Sequence, residues 1–187
     1  MKIISFYSNE RQLLKKAING HRDAQRTIYE KFAPKMLSVC RQYIKDVHFA
    51  EDVMVNGFVK VFKNLSAFEH RGSFEGWIRK IMVRESISYL RKKQFVVFDD
   101  EVLERKEGFQ EETTSLIDVD EVQQLIDALP EGYKMVFVLY AVEGYKHNEI
   151  AKLLEITEGT SKSQLFKARK MLQENLKLKG ITKAVSQ

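Results

Sequence analysis

Two prolines and nine glycines in 187 residues are too few to punctuate a fold of many short strands, so a turn-rich β architecture is excluded. With one cysteine, Cys40, there is no internal disulfide, which suits a reducing compartment. Its setting in "KMLSVCRQY" reads as a buried small side chain. No apolar run nears the length of a membrane span, and the opening "MKIISFYSNERQLLKKAI" is too short in apolar residues for a secretory signal. A cytoplasmic chain with no membrane insertion is expected. Constellations for chemistry are also missing. His21, His48, His70 and His147 are scattered, with no metal-ligand spacing to Cys40 or to a carboxylate. Glu51 and Asp52 are adjacent, and neighbours on a helix point about 100° apart, so they make no acid–base pair. No glycine loop cradles a phosphate. The expectation is no enzyme, no catalytic residue, no metal and no cofactor.

What is present is helical periodicity. Hydrophobic residues at 44% and charged residues at 30% describe a globular chain, long enough for two small cores. From about Arg11 to Lys93 apolar residues recur at three- and four-residue spacings. Ile28, Phe32, Met36, Val39 and Tyr43 form one such stripe, and Pro34 is expected to kink or interrupt it. A second run, Val53, Phe58, Val61, Phe62 and Leu65, follows a start at "AED", where acidic residues suit the positive end of a helix. "SAFEHRGSFEG" reads as a loop around Ser73, bracketed by Gly72 and Gly76, and a helix follows from about Phe74 to Lys93.

Between Asp99 and Glu121 ten acidic residues stand against two basic ones, a local charge of −8 with little apolar periodicity. This reads as an acidic linker. The helical pattern resumes at Val122. Pro130 is placed to end one helix and start the next, and Gly144 closes the apolar stretch "MVFVLYAV". The expected fold class is all-α: a helical domain over residues 1–94, an acidic linker over 95–121 and a second helical domain over 122–187.

"HNEIAKLLEITEGTSKSQLFKARKML" has the layout of a helix-turn-helix. Ile150, Ala151 and Leu154 line the inner face of a short helix, Ile156 plugs the turn, and Thr157 caps a second helix with Thr160 in its first turn. Glu155 stands where such turns often carry glycine. Leu165, Ala168 and Leu172 share one side of the second helix. Lys162, Ser163, Phe166, Lys167 and Lys170 fall opposite, with Gln164 and Arg169 flanking. Such a helix presents its start to base edges in the major groove. Ser163 and Gln164 are candidates to read bases, and Phe166 to meet a thymine methyl. Lys162, Lys167, Arg169 and Lys170 are candidates to hold phosphates. The competing reading is a partner-binding helix hairpin.

The stretch "FEGWIRKIMVRESISYLRKKQ" has a basic face of its own, with six cations and one anion between Arg79 and Gln94. Phe74, Trp77 and Tyr89 interleave with those charges, which suits stacking on unpaired bases. Core anchoring is the plainer role for Trp77 and Phe74.

Taken together these stretches resemble a family. "AEDVMVNGFVKVFKNLSAFEHRGSFEGWIRKIMVRESISYLRKK" is similar to region two, and "IDALPEGYKMVFVLYAVEGYKHNEIAKLLEITEGTSKSQLFKARKML" to region four, of bacterial RNA polymerase sigma factors of the extracytoplasmic-function group. The resemblance spans roughly residues 20–94 and 122–176, in that order. It implies a two-domain, non-catalytic factor that binds core RNA polymerase and promoter DNA and commonly answers to an anti-sigma factor. Asp52 and Phe58, with Val55 and Asn56 between them, match the helix that docks on polymerase. The loop from Phe68 to Ser73 and the helix behind it match the part that captures flipped bases of the melted −10 element, which places Phe68, Arg71, Phe74, Trp77, Arg79, Lys80, Arg84, Arg91 and Lys92 there. The second helix of the helix-turn-helix matches the reader of the −35 duplex. Val55 and Asn56 stand where the family usually carries Gln-Glu, and Arg84 and Ser88 replace an Asn and an Asp. Two other readings stay open on these residues: a sigma-derived DNA-binding regulator with weakened polymerase binding, and a helical interaction protein acting mainly through an inhibitor partner.

Overall fold

The computed structural model describes residues 3–92 and 119–178, and the acidic stretch lies almost wholly outside the described residues. Among the described residues every regular element is helical. The chain divides into two compact units, Met1–Tyr89 and Leu90–Gln187, each with its own core.

In the first unit α1 spans Ile3–Ile18, α2 Arg22–Tyr43 and α3 Val47–Lys63, with a short 3₁₀ turn at Leu65–Ala67; α4, Phe74–Lys92, begins in this unit and ends three residues past its boundary at Tyr89. Gly20 ends α1 with φ +81°. Its N–H reaches Ala17 O and the N–H of His21 reaches Lys16 O, a Schellman closure that needs the left-handed residue. The stripe read from the sequence is the core of α2: Ile28, Phe32, Met36, Val39 and Tyr43 are all buried. Cys40 is buried with them, and burial pushes its thiol up to about 11. The expected break at Pro34 does not occur, for α2 runs through it. Proline removes the bond to the carbonyl of Glu30, but both residues lie on the exposed side, where water can serve that carbonyl.

The start of α3 is also corrected. The helix begins at Val47, not at "AED", because the side chain of Asp46 accepts from the N–H groups of His48 and Phe49 at 2.8 and 3.2 Å. That cap satisfies two of the open donors of the first turn. Ala50, Val53, Met54, Gly57, Phe58 and Val61 then face inward. Gly57 lies against Met82 of α4, and a Cβ there would overlap the Met82 thioether, so glycine leaves room for that side chain between α3 and α4. Ser73 Oγ accepts from the N–H of Gly76 at 3.1 Å, which puts Gly76 in the first turn of α4 rather than in the loop.

In the second unit α5 spans Val119–Asp127, α6 Glu131–Phe137, α7 His147–Leu154 and α8 Glu158–Leu178. Pro130 stands at the start of α6 as expected. Leu125, Leu129, Met135, Val136, Leu139, Ile150, Leu154, Leu165 and Ala168 form the core, in which α8 packs on α5, α6 and α7. Two features had no counterpart in the sequence reading. Lys134 is buried and ion-paired to Asp127 at 2.9 Å, and Gln123 also donates to Asp127. After α6 the chain widens into a π turn, Val138–Val142, with Glu143 N–H bonded to Val138 O and Tyr145 N–H to Leu139 O. Gly144, at φ +75°, closes it.

Candidate nucleic-acid interface

The turn between α7 and α8 is built as the helix-turn-helix layout requires. Ile150 and Leu154 are buried. Glu155 adopts the left-handed conformation, φ 58° and ψ 40°, and the N–H of Ile156 bonds Ala151 O. A non-glycine residue there costs about 1 kcal/mol. Thr157 Oγ1 accepts from the N–H of Thr160 at 3.0 Å and caps α8. At the start of α7, Glu149 Oε2 accepts from the N–H of Lys146.

Along α8 the inner side holds Ser161, Gln164, Leu165 and Ala168. Gln164 is therefore a correction: at 2% exposure it lies inside and does not present its amide to base edges. Lys162, Ser163, Phe166, Arg169 and Lys170 lie outside, and Lys167 is half-buried. Phe166 is 71% exposed, an apolar ring standing among cations. Ser163 Oγ donates to Thr160 O at 3.0 Å, and its oxygen can still accept. Lys167 lies over the ring of Tyr133 at 5.8 Å and Arg169 over that of Tyr140 at 5.5 Å. Tyr140 stands in the apolar stretch "MVFVLYAV", and nothing local marked either tyrosine as a support for α8.

His147 was weighed in the sequence only as a metal ligand. It sits at the head of α7 with Nδ1 2.9 Å from Ser161 Oγ and its ring stacked on Tyr140 at 4.7 Å and 25°. Burial, then the nearby Lys162 and Arg169, lower its pKa from the usual 6.5, while Glu158 opposes them. Among the described residues no group of three His, Cys, Asp or Glu side chains is placed to hold a metal.

In the first unit the loop before α4 lies over an aromatic cluster. Phe68 and Phe74 are buried, with ring centroids 5.2 Å apart, and each lies within 6 Å of Trp77, at 5.6 and 5.8 Å. Phe68 and Phe74 are thus core residues that hold the loop, a correction to their assignment among base-contacting residues. Trp77 is half-buried and stacked on Phe74. Along α4, Trp77, Lys80, Arg84, Ser88 and Arg91 recur at three- and four-residue spacings and fall on one stripe. Lys80, Arg84 and Lys92 are exposed and Arg91 half-buried. Arg79 is half-buried on the side that carries Met82, Val83, Ser86 and Leu90, off that stripe. Arg71, on the loop, is exposed and pairs with Glu69 at 3.2 Å. An open recess of about 640 Å³ lies beside the loop, lined by Lys31 and Phe32, by His70, Gly72 and Ser73, and by two carboxylates, Glu10 and Glu75.

On α3, Asp52, Val55 and Asn56 are exposed on one face, and Val59, one turn on, extends it. Phe58 is corrected. It is 2% exposed and packs edge-on against Tyr29 at 4.8 Å, so it belongs to the core rather than to a docking surface.

Comparison with known proteins gives this geometry its context. Residues 28–96 match the family described as Sigma-70 region 2, and residues 120–172 match Sigma-70, region 4. The chain is 26% identical to the ECF RNA polymerase sigma factor SigW of Bacillus subtilis (strain 168) over 177 residues, which covers 88% of this chain and 95% of that one. It is 30% identical to the RNA polymerase sigma factor SigV of the same strain over 135 residues, 72% of this chain and 80% of that one. Among solved structures, the sigma factor RpoE of Bartonella quintana, crystallised with the anti-sigma factor NepR, shares the fold with a TM-score of 0.54 at 21% identity. That match covers 82% of this chain and 96% of the other. Two helical domains, matched in this order, define a transcription initiation factor rather than an enzyme. The chain belongs to the extracytoplasmic-function group of the sigma-70 family of RNA polymerase sigma factors.

Proposed function

We infer that this sigma factor acts in the cytoplasm by joining core RNA polymerase and carrying it to promoters through two separate DNA contacts. The observation that carries the DNA reading is the outer face of α8. Phe166 stands 71% exposed, flanked by Lys162, Arg169 and Lys170. An apolar ring among cations has little use in water and suits a thymine methyl in the major groove, with the cations on phosphates. Lys162, Ser163, Phe166, Lys167, Arg169 and Lys170 form this contact with the −35 duplex; Gln164 supports it from inside.

The second contact is with the melted −10 strand, through Arg71, the half-buried Trp77, and Lys80, Arg84, Arg91 and Lys92 of α4. The recess beside the loop offers room for an unpaired base, and the cation stripe suits a single strand. Phe68 and Phe74 hold the loop from below, and Arg79 acts from the inner side of α4. Docking on polymerase falls to Asp52, Val55 and Asn56, extended by Val59. An anti-sigma factor, the kind of partner named for the Bartonella quintana relative, is the regulator this reading supplies.

Polymerase binding is tested by pull-down with bacterial core RNA polymerase, using the wild type beside Val55→Gln/Asn56→Glu. Strong wild-type capture, little changed by the double substitution, supports a working sigma factor whose docking contacts have been redistributed. Capture that appears only in the variant contradicts it. The protein is then a sigma-derived DNA-binding regulator.

A further inference from the structure

The surroundings of His147 suit more than the binding of duplex DNA. Its imidazole lies on the ring of Tyr140, 4.7 Å away, and its Nδ1 lies 2.9 Å from Ser161 Oγ on α8. Arg169 stands over the same tyrosine at 5.5 Å. The π turn places Tyr140 under the head of α7, so three elements meet at one ring. Lys162 and Arg169, both assigned above to phosphates, are among the charges that His147 feels.

We propose that His147 is a proton-gated phosphate contact, so that the affinity of the helix-turn-helix for duplex DNA rises as pH falls. The inference rests on the reading of α8 as the duplex-binding helix. In the free protein the proton is resisted: burial removes water from the ring, and Lys162 and Arg169 repel the added charge, with Glu158 opposing them. On its own stretch His147 is flanked by Glu143 and Lys146, and the carboxylate of Glu149 is occupied by the N–H of Lys146. A phosphate brought up by α8 reverses this balance. It neutralises the two cations and attracts the imidazolium, so DNA binding takes up a proton.

The local structure tolerates both states of the ring. The Ser161 hydroxyl donates to an unprotonated Nδ1 and accepts from Nδ1–H, so the contact that joins α7 to α8 persists on protonation. The stack on Tyr140 is favourable for the neutral ring and more so for the cation. Protonation therefore adds charge close to Lys162 and Arg169 without unpacking the turn.

By linkage, the slope of log affinity against pH equals the protons taken up, so one histidine gives at most about a tenfold gain per pH unit. One added phosphate contact steepens the log–log salt dependence by about 0.9. The full-length protein is titrated with a generic B-form duplex at low salt from pH 8 to pH 5.5. His147→Gln, His147→Arg and Lys162→Ala/Lys170→Ala are run beside the wild type. The wild type is expected to tighten as pH falls, His147→Gln to bind more weakly with a flattened slope, and His147→Arg to bind tightly at every pH. The His147 ring-proton titration in wild type, followed by NMR, moves to higher pH when duplex is added; this readout does not depend on a variant folding. A wild-type slope retained in His147→Gln, or a His147 midpoint unmoved by duplex, overturns the inference and leaves the reading of α8 standing. Duplex affinity unchanged in Lys162→Ala/Lys170→Ala overturns the reading of α8 itself, and the inference with it.

Discussion

Lys134 and Asp127 make the most consequential pair of side chains that the sequence did not announce. Both are almost fully buried and 2.9 Å apart. Removing Lys134 leaves the buried Asp127 carboxylate without the ammonium that faces it, although Gln123 still donates to it, so Lys134→Ala is expected to cost about 3 kcal/mol, read as a lower midpoint in urea unfolding of the second unit. Replacing both, as Lys134→Met with Asp127→Leu, is expected to recover most of that loss, because an apolar pair needs no compensation. Phe166 is the opposite case. At 71% exposure its truncation to Ala leaves the unfolding midpoint unchanged. Duplex affinity, measured by fluorescence anisotropy, falls by about 1.5–3 kcal/mol if the ring is buried on binding. His147 also gives stability a pH dependence. Its folded pKa lies below the usual 6.5, so the folded state binds fewer protons than the unfolded one. The contribution to stability is full above about 6.5 and is lost as pH falls through the folded value. Thermal unfolding of the free protein is therefore expected to show a drop in Tm between pH 7 and pH 5 that His147→Gln reduces.

Helices and turns were legible wherever one local signal settled them, and obscure where two competed. The stripe from Ile28 to Tyr43 is buried as read, and in the turn from Ile150 to Thr160 Ile150 and Leu154 are buried and Thr157 caps α8, while Ala151 and Ile156 are only half-buried. The start of α3 was misplaced because two acidic signals compete there. Glu51 and Asp52 suit a helix start electrostatically, but Asp46 makes two hydrogen bonds to open N–H groups, and direct capping outweighs a dipole term. Asp46→Ala is accordingly expected to cost about 1 kcal/mol, seen as a shift in the urea midpoint of the first unit, whereas Glu51→Gln is expected to have almost no effect. Gln164 shows a subtler failure. A wheel centred on Leu165, Ala168 and Leu172 takes in Ser161 but leaves Gln164 at the flank, yet Gln164 is buried as well, so the buried arc is wider on that side than the apolar residues mark. Polar residues on that arc carry no hydrophobic signal, so only tertiary structure reveals it. The π turn is of the same kind: its register depends on bonds to Val138 and Leu139 that no periodicity records.

At the scale of the whole molecule the division of labour follows from where charge and apolar surface remain after each core is formed. The second unit keeps an aromatic ring and cations on α8. The first keeps a cation stripe on α4, a loop held over Phe68 and Phe74, and a separate face on α3 with little charge. Phe58 and Phe74 were placed in the sites by motif position, yet both are buried in the core, while the exposure of Val59 carries no motif signal. The central claim is that these surfaces work together on polymerase at promoters. It is tested most directly by adding the protein to core RNA polymerase on a fragmented bacterial genomic template and sequencing the 5′ ends of the transcripts. The account expects new start sites, absent with core alone, that share two upstream sequence elements at fixed spacing and disappear with Lys162→Ala/Phe166→Ala/Lys170→Ala. Start sites identical to those of core polymerase alone would contradict it.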